Sequence, residues 1–214
     1  MAVFGKRIVN QLIKDYGCIV LCGGKSSRMG TSKAMLPFGD RTLLQRVIAS
    51  VENVCSSIVV VAAKDQPLPD LPESVIVVHD SIEGQGPLEG IRVGLNALPQ
   101  ATSAAYVTSC DVPFLKPSFV EFMLDQLGSN QIAVPVEDGF FHPLAGVYSV
   151  SVSDAIERLF QTGERRPRML FDQVCTAQVP TELLKTVDSV LDSLVNLNEP
   201  EQYQAALERL HAEE

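Results

Sequence analysis

Cys18-Ile19-Val20-Leu21-Cys22-Gly23-Gly24-Lys25-Ser26-Ser27-Arg28-Met29-Gly30-Thr31-Ser32-Lys33 is the stretch on which the fold and chemistry of this chain turn. A short apolar run stops at two glycines, the way a buried strand ends at a loop. The glycines let backbone approach a ligand closely, and exposed N–H groups there can cradle phosphate oxygens. Arg28 and Lys33 are the groups needed to hold a triphosphate and to offset charge that builds during phosphoryl-type transfer. A flexible Gly/Ser loop is the plainer alternative. Glycines, Arg and Lys all following one buried strand favour the functional reading. The stretch is neither a Walker loop, since GxxxxGK[ST] is absent, nor a GxGxxG dinucleotide turn.

Downstream of this loop, apolar strands alternate with amphipathic helices. A helix is predicted from about Thr42, with Leu43, Leu44, Val47, Ile48, Val51 and Val54 on one face. Ser57–Ala63 reads as a fully buried strand, Pro67, Pro69 and Pro72 mark a loop, and Val75–Val78 is a further apolar run ending at His79-Asp80. Helices are expected over Gly90–Leu98, 118–127, Ser153–Phe160 and from about Pro200, and strands over Ala104–Val107, Ile132–Val136 and Ala145–Val150. This alternation describes an α/β protein: a three-layer, Rossmann-like, mostly parallel sheet with helices on both faces. Ligands bind at the carboxyl ends of the strands in such sheets. The expected site is therefore Gly23–Lys33, Asp80 and Asp111.

Two further constellations fit that placement. Asp80, with Gly84-Gln85-Gly86-Pro87-Leu88-Glu89-Gly90, pairs an acid at a strand end with a glycine-rich turn, which suits a ribose or base contact as well as it suits a plain turn and cap. Ser109-Cys110-Asp111-Val112-Pro113 puts a carboxylate directly after a strand, where it can hold Mg²⁺ together with phosphate oxygens and water. His142-Pro143, at the expected start of a strand, is read as structural. Gly163-Glu164-Arg165-Arg166 reads as a solvated turn or an anion contact, and Asn196-Leu197-Asn198 as a helix-cap region or a source of amide oxygens.

Composition bounds the rest. The 214 residues carry a net charge of -9, which argues against a nucleic acid or an anionic membrane as partner. Against that background Gly17–Arg46 holds Lys25, Arg28, Lys33, Arg41 and Arg46 with Asp40 as its one acid, a basic island suited to a small anion. The five scattered cysteines contain no CxxC pair, so no zinc site or disulfide framework is indicated; with no apolar span or leader, a cytoplasmic setting is expected. A serine-nucleophile enzyme lacks its GxSxG elbow. A Cys110 nucleophile lacks a histidine with a reason to pair with it.

Taken together, these stretches resemble the molybdenum cofactor guanylyltransferase family. The pattern LxGGxSxRMGxxK falls on Leu21–Lys33, GPLxGI on Gly86–Ile91, CDxP on Cys110–Pro113, HPLAG on His142–Gly146, GERR on Gly163–Arg166 and VNxNxPE on Val195–Glu201. The resemblance implies one nucleotidyltransferase domain over 17–214 after an extension over 1–16. It implies GMP transfer from GTP to molybdopterin or its molybdenum-bound form, with Mg²⁺ and without a protein nucleophile. By the same resemblance Leu21, Cys22, Gly23 and Gly24 lie on the guanine side, Lys33 holds phosphate and Arg28 stabilises the triphosphate. Asp80 contacts the nucleoside, Asp111 binds the metal, Asn196 and Asn198 lie near metal and acceptor, and Arg165 and Arg166 meet the pterin phosphate. It further implies transient contacts with other cofactor-synthesis proteins and with apo-molybdoenzymes. Two departures from the family pattern stand out: Ala62-Ala63 where an Asn often follows the second strand, and Ser32 where an Asp often precedes the lysine. Cytidylyl transfer to molybdopterin, nucleotidyl transfer to a sugar or polyol phosphate, and a nucleotide-binding regulatory module are the alternatives.

Overall fold

The computed structural model describes residues 15–23, 32–80 and 86–213. Strand β1 (Tyr16–Leu21) leads through a 3₁₀ turn (Lys33–Met35) and a small hairpin, β2 (Pro37–Phe38) and β3 (Arg41–Thr42), to α1 (Leu43–Val51), β4 (Ser57–Ala62) and β5 (Val75–His79). Helix α2 (Pro87–Ala97) crosses to β6 (Ala104–Ser109), followed by α3 (Pro117–Gln126), β7 (Ile132–Glu137), β8 (Phe140–Phe141), β9 (Val147–Ser149) and α4 (Ser153–Gln161). Next come α5 (Arg168–Phe171), β10 (Thr176–Pro180), α6 (Thr181–Leu184) and α7 (Pro200–Glu213).

The main sheet runs β10-β7-β9-β6-β1-β4-β5, with β8 on β7. The β1–β4, β1–β6, β4–β5 and β7–β10 pairs are parallel; β9 runs antiparallel to both its neighbours. The expected mostly parallel sheet is therefore observed. The continuous apolar runs are explained by its two covered faces. Cys18 and Val20 of β1 pack with α1 and α3, while Ile19 and Leu21 pack with α2 and α4 on the other side. A strand buried on both faces has no polar alternation to show.

Local chemistry sets the helix starts. Thr42 and Gln45 form a reciprocal capping box on α1, in which Thr42 Oγ1 accepts from Gln45 N and Gln45 Oε1 accepts from Thr42 N. Helix α2 begins at Pro87, three residues before the expected Gly90, because Gly86 at φ 79° turns the chain and Pro87 suits a first helical position. The expected strand over Ala145–Val150 shortens to β9, since Pro143–Ala145 closes a 3₁₀ turn in which Ala145 N donates to His142 O. His142 thus precedes a turn rather than opening a strand. Strand β1 takes in Tyr16, paired with Ala104, so the sheet reaches one residue into the stretch expected to be an extension.

Gly94 sets how closely α2 lies on β1: a Cβ there would fall 2.5 Å from Cγ2 of the fully buried Ile19. Gly94→Ala is expected to destabilise the protein by about 1–2 kcal/mol: so close an approach puts overpacking in the upper part of its usual range, about 2–3 kcal/mol, less about 1 kcal/mol of better helix propensity. Urea unfolding checks this, and an unchanged midpoint would mean that α2 sits further from the sheet.

Candidate functional site

From β1 the chain steps through α1 to β4 and β5 on one side, then crosses by α2 to β6 on the other side of β1. The order reverses between β1 and β6, and in α/β sheets ligands bind outside the carboxyl ends of the strands at such a reversal. Leu21 and Ser109 are partners in register at those ends. The next residues on each strand, Cys22-Gly23 and Cys110-Asp111, carry the predicted ligand-facing chemistry.

Asp111 is the hub. Lys33 Nζ donates to its Oδ2 at 2.6 Å, while Ser109 Oγ and Asn196 Nδ2 donate to its Oδ1 at 2.5 and 2.9 Å. Lys33 Nζ also donates to Asn198 Oδ1 at 2.9 Å. The Lys33 and Asp111 side chains are only 16% and 9% exposed, so this is a partly desolvated ion pair, stronger than a surface one. The ammonium lies between a carboxylate oxygen and an amide oxygen. Asn196 and Asn198 reach the hub because Leu197 N donates to the Asp111 carbonyl at 2.9 Å, laying the 196–198 segment beside the end of β6.

An ionic clamp of two buried carboxylates and two partly exposed cations anchors that segment from behind. Lys116 Nζ meets Asp188 Oδ1 at 2.7 Å and Asp192 Oδ2 at 3.5 Å, and Arg209 holds both oxygens of Asp192 at 2.6 and 2.8 Å. Burial alone would raise the Asp188 pKa, but Lys116 and the Ser193 backbone N–H outweigh it and hold it below 3.8. Arg209, ahead of any other group, does the same for Asp192.

On the nucleoside side, Asp80 follows β5 and its N donates to the Ala62 carbonyl. A Cβ on Gly23 would sit 2.8 Å from Asp80 Oδ2, so the absence of a side chain at Gly23 lets the two strand ends close up. Asp80 Oδ1 is buried with no partner among the described residues. Burial first, then the charge of Glu89, raises the Asp80 pKa above 3.8. The Leu21 and Cys22 side chains are buried beneath this corner. The neighbouring Cys110 thiol, and then burial, push the Cys22 pKa well up and leave it a poor nucleophile.

The arginines stand differently. Arg165 stacks on Phe160, 4.4 Å from the ring centroid, and donates to the Phe160 and Glu164 carbonyls. Arg166 is 74% exposed and pairs with Glu164, whose pKa is pulled down to about 2 chiefly by that guanidinium. The Arg165 carbonyl lies 3.7 Å from where a Gly86 Cβ would be, so this turn borders the glycine-rich corner; its guanidinium groups are not among the contacts of Asp111. Gly24, Arg28, Gly84 and Gln85 lie outside the described residues. His142 Nε2 is buried without a partner among the described residues, and desolvation lowers its pKa, so it is neutral near pH 7.

Two further groups in the site have no signature of their own in the sequence. Ser109 is marked there only as a neighbour of Asp111. Gln66, in the proline-marked loop, has side-chain bonds to Ala63, Cys22 and Ser32 that no local pattern announces.

Among the described residues no cluster of three or more His, Cys, Asp or Glu exists to form a closed metal cage. An all-oxygen set of Asp111 with the Asn198 amide suits a hard cation completed by ligand phosphates and water. No helix among the described residues is long and apolar enough to cross a membrane.

Residues 18–179 match a family model described as a MobA-like NTP transferase domain. A probable molybdenum cofactor guanylyltransferase of Mycobacterium avium is 37% identical over 165 residues, covering 75% of this chain and 83% of the relative. Among solved structures, the molybdopterin-guanine dinucleotide biosynthesis protein A of Archaeoglobus fulgidus aligns with TM-score 0.75 at 24% identity, covering 92% of this chain and 99% of the other. The 2-C-methyl-D-erythritol 4-phosphate cytidylyltransferase of Thermus thermophilus aligns with TM-score 0.68 at 16% identity, covering 91% and 98%. Both structures share the fold.

Proposed function

This chain belongs to the MobA-like NTP transferase family, and from that premise we propose that it transfers GMP from GTP to the terminal phosphate of molybdopterin or its molybdenum-bound form. The products are pyrophosphate and the guanine dinucleotide form of the cofactor. The observation that carries this reading is the Lys33–Asp111–Asn198 cluster at the carboxyl ends of β1 and β6, together with an Asp80 oxygen at the end of β5 that is buried without a partner among the described residues.

An oxygen of the acceptor phosphate attacks the α-phosphorus of GTP. The bond from that phosphorus to the bridging oxygen breaks, and pyrophosphate leaves with the electron pair. No bond to the protein forms, so the chain works by positioning and charge. Lys33 passes from Asp111 and Asn198 to the nucleotide phosphates, and Arg28 joins it. Asp111 and the Asn198 amide oxygen would hold Mg²⁺, which neutralises phosphate charge when bound. Asn196 keeps the Asp111 carboxylate oriented, and Arg165 and Arg166 line the acceptor side.

Asp80 supports the choice of guanine. A buried acceptor without a donor costs about 1–3 kcal/mol, which a ligand recovers by donating to it. The guanine edge offers N1–H and the 2-amino group; cytosine offers its amino group beside an acceptor nitrogen. Asp80→Ala is expected to raise the KM for GTP by about 10- to 100-fold with a smaller change in kcat. An unchanged KM would remove Asp80 from the nucleoside site. The reading as a whole is tested by pyrophosphate release with molybdopterin and Mg²⁺, comparing GTP, CTP and ATP. Release with GTP alone is expected. Release with CTP alone would move the enzyme to the cytidylyl branch.

A further inference from the structure

The turn after β4 takes no part in the chemistry above, yet its Gln66 reaches the nucleotide loop from behind. Asp65 adopts φ 61° and Gln66 N donates to the Ala63 carbonyl, so the turn folds back over the end of β4. The Gln66 side chain then makes three bonds. Its Oε1 accepts from Ala63 N at 2.9 Å, and its Nε2 donates to the Cys22 carbonyl at 3.1 Å and to Ser32 Oγ at 2.9 Å. The amide orientation is fixed by this set, because the Ala63 N–H can only donate and the Cys22 carbonyl can only accept.

Cys22 and Ser32 are the points between which Gly23–Thr31 run, with Lys25 and Arg28 among them. One amide therefore ties the chain where it leaves β1 to the chain where it enters the Lys33 turn. Both departures from the family pattern meet at this point. The amide absent at Ala62-Ala63 is supplied three residues later, and the acceptor it uses on the far side is the Ser32 hydroxyl.

We propose that Gln66 is a positioning residue for the nucleotide: its amide clasps both ends of the phosphate-binding loop and holds Cys22-Gly23 and Lys33 in the relative placement that GTP requires. The inference rests on the GTP reading above. Flanking residues tied to each other before binding have less freedom to lose when the nucleotide arrives. Loss of the clasp therefore weakens nucleotide capture and leaves the chemical step of the bound complex largely intact.

The test uses the full chain with Gln66→Ala, Gln66→Glu and Ser32→Ala. It reads the KM for GTP, kcat, the melting temperature, and the rate of trypsin cleavage after Lys25 and Arg28. Both Gln66 variants are expected to raise KM by about fivefold to thirtyfold, the equivalent of one or two hydrogen bonds, with kcat and melting temperature near wild type. Gln66→Glu keeps the size and the Oε1 acceptor but turns an oxygen toward the Cys22 carbonyl, so its effect is at least as large as that of Gln66→Ala. Ser32→Ala removes one arm and gives a smaller rise. Tryptic cleavage accelerates in both Gln66 variants. A wild-type KM in both of them overturns the proposal, and so does a lowered melting temperature with KM unchanged, which is the signature of a purely structural tie. If the wild-type protein does not turn over GTP, the guanylyl reading fails by itself. The clasp is then judged by cleavage, where acceleration in both variants supports it and an unchanged rate overturns it.

Discussion

Asp111→Ala is expected to lower kcat by about 10³-fold or more while leaving the fold in place. The carboxylate is the meeting point of Lys33, Ser109 and Asn196, and among the described residues it is the one acid in the hydrogen-bonded cluster around Lys33. Its removal strips the negative charge that would hold a divalent cation and leaves Lys33 with the Asn198 oxygen. The backbone bond from Leu197 N to the residue 111 carbonyl does not need the side chain, so the 196–198 segment stays where it is. The melting temperature is expected to move by no more than about 3 °C, the equivalent of about 1 kcal/mol. Pyrophosphate release and a thermal melt on the same sample decide it. Near-full Mg²⁺-dependent turnover would sink the metal assignment, and a collapsed melt would show that Asp111 is a structural residue first.

The largest expected loss of stability lies in the clamp behind the site. Lys116→Met keeps most of the apolar stem and removes the charge. Asp188, whose side chain is fully buried, then keeps the Ser193 N–H as a donor but loses its cation. Breaking a buried pair costs about 3–5 kcal/mol; because the Lys116 end is 38% exposed, the expected value here is about 2–3 kcal/mol. The pH dependence has a definite sign. In the wild type the Asp188 and Asp192 pKa values lie below 3.8 in the folded state, so their contribution is complete above the unfolded pKa and is lost as pH falls through the lowered folded values. In Lys116→Met burial acts on Asp188 without its cation and raises its pKa. The stability gap between the two proteins is therefore expected to be wide at pH 7 and to narrow toward pH 4. Urea unfolding at both values checks this, and a gap that stays constant would show that the lost stability comes from the stem and not from the ion pair.

Much of this architecture is carried by short-range features of the chain. Runs such as Ile19–Leu21 and Ile58–Val61 are apolar at every position, and a strand with both faces covered is the arrangement that buries them all. The turn chemistry after each run, Gly23, Asp80 and Asp111, then falls at the carboxyl edge of the sheet because strands run parallel and end together. Strand β10 is the counterexample. It sits at an edge, Val179 is its one buried residue, and nothing in Thr176–Pro180 separates it from a loop until it pairs with β7. The short helices α5 and α6 are hidden for a like reason: four residues are too few to show a period.

The α/β class, the order of most strands and helices, and the placement of Gly23, Asp80 and Asp111 just beyond strand ends are all legible in the amino-acid sequence, because each depends on residues close along the chain. Which of these groups touch is settled by the packing of the layers. Asn196 meets Asp111 across 85 residues, Gln66 reaches back to Cys22 across 44, and Arg166 turns to Glu164 two residues away instead of joining the Asp111 cluster. A hydrogen bond needs its atoms within about 3 Å of each other, and over such separations that distance is set by how helices seat on the sheet, which no local pattern encodes.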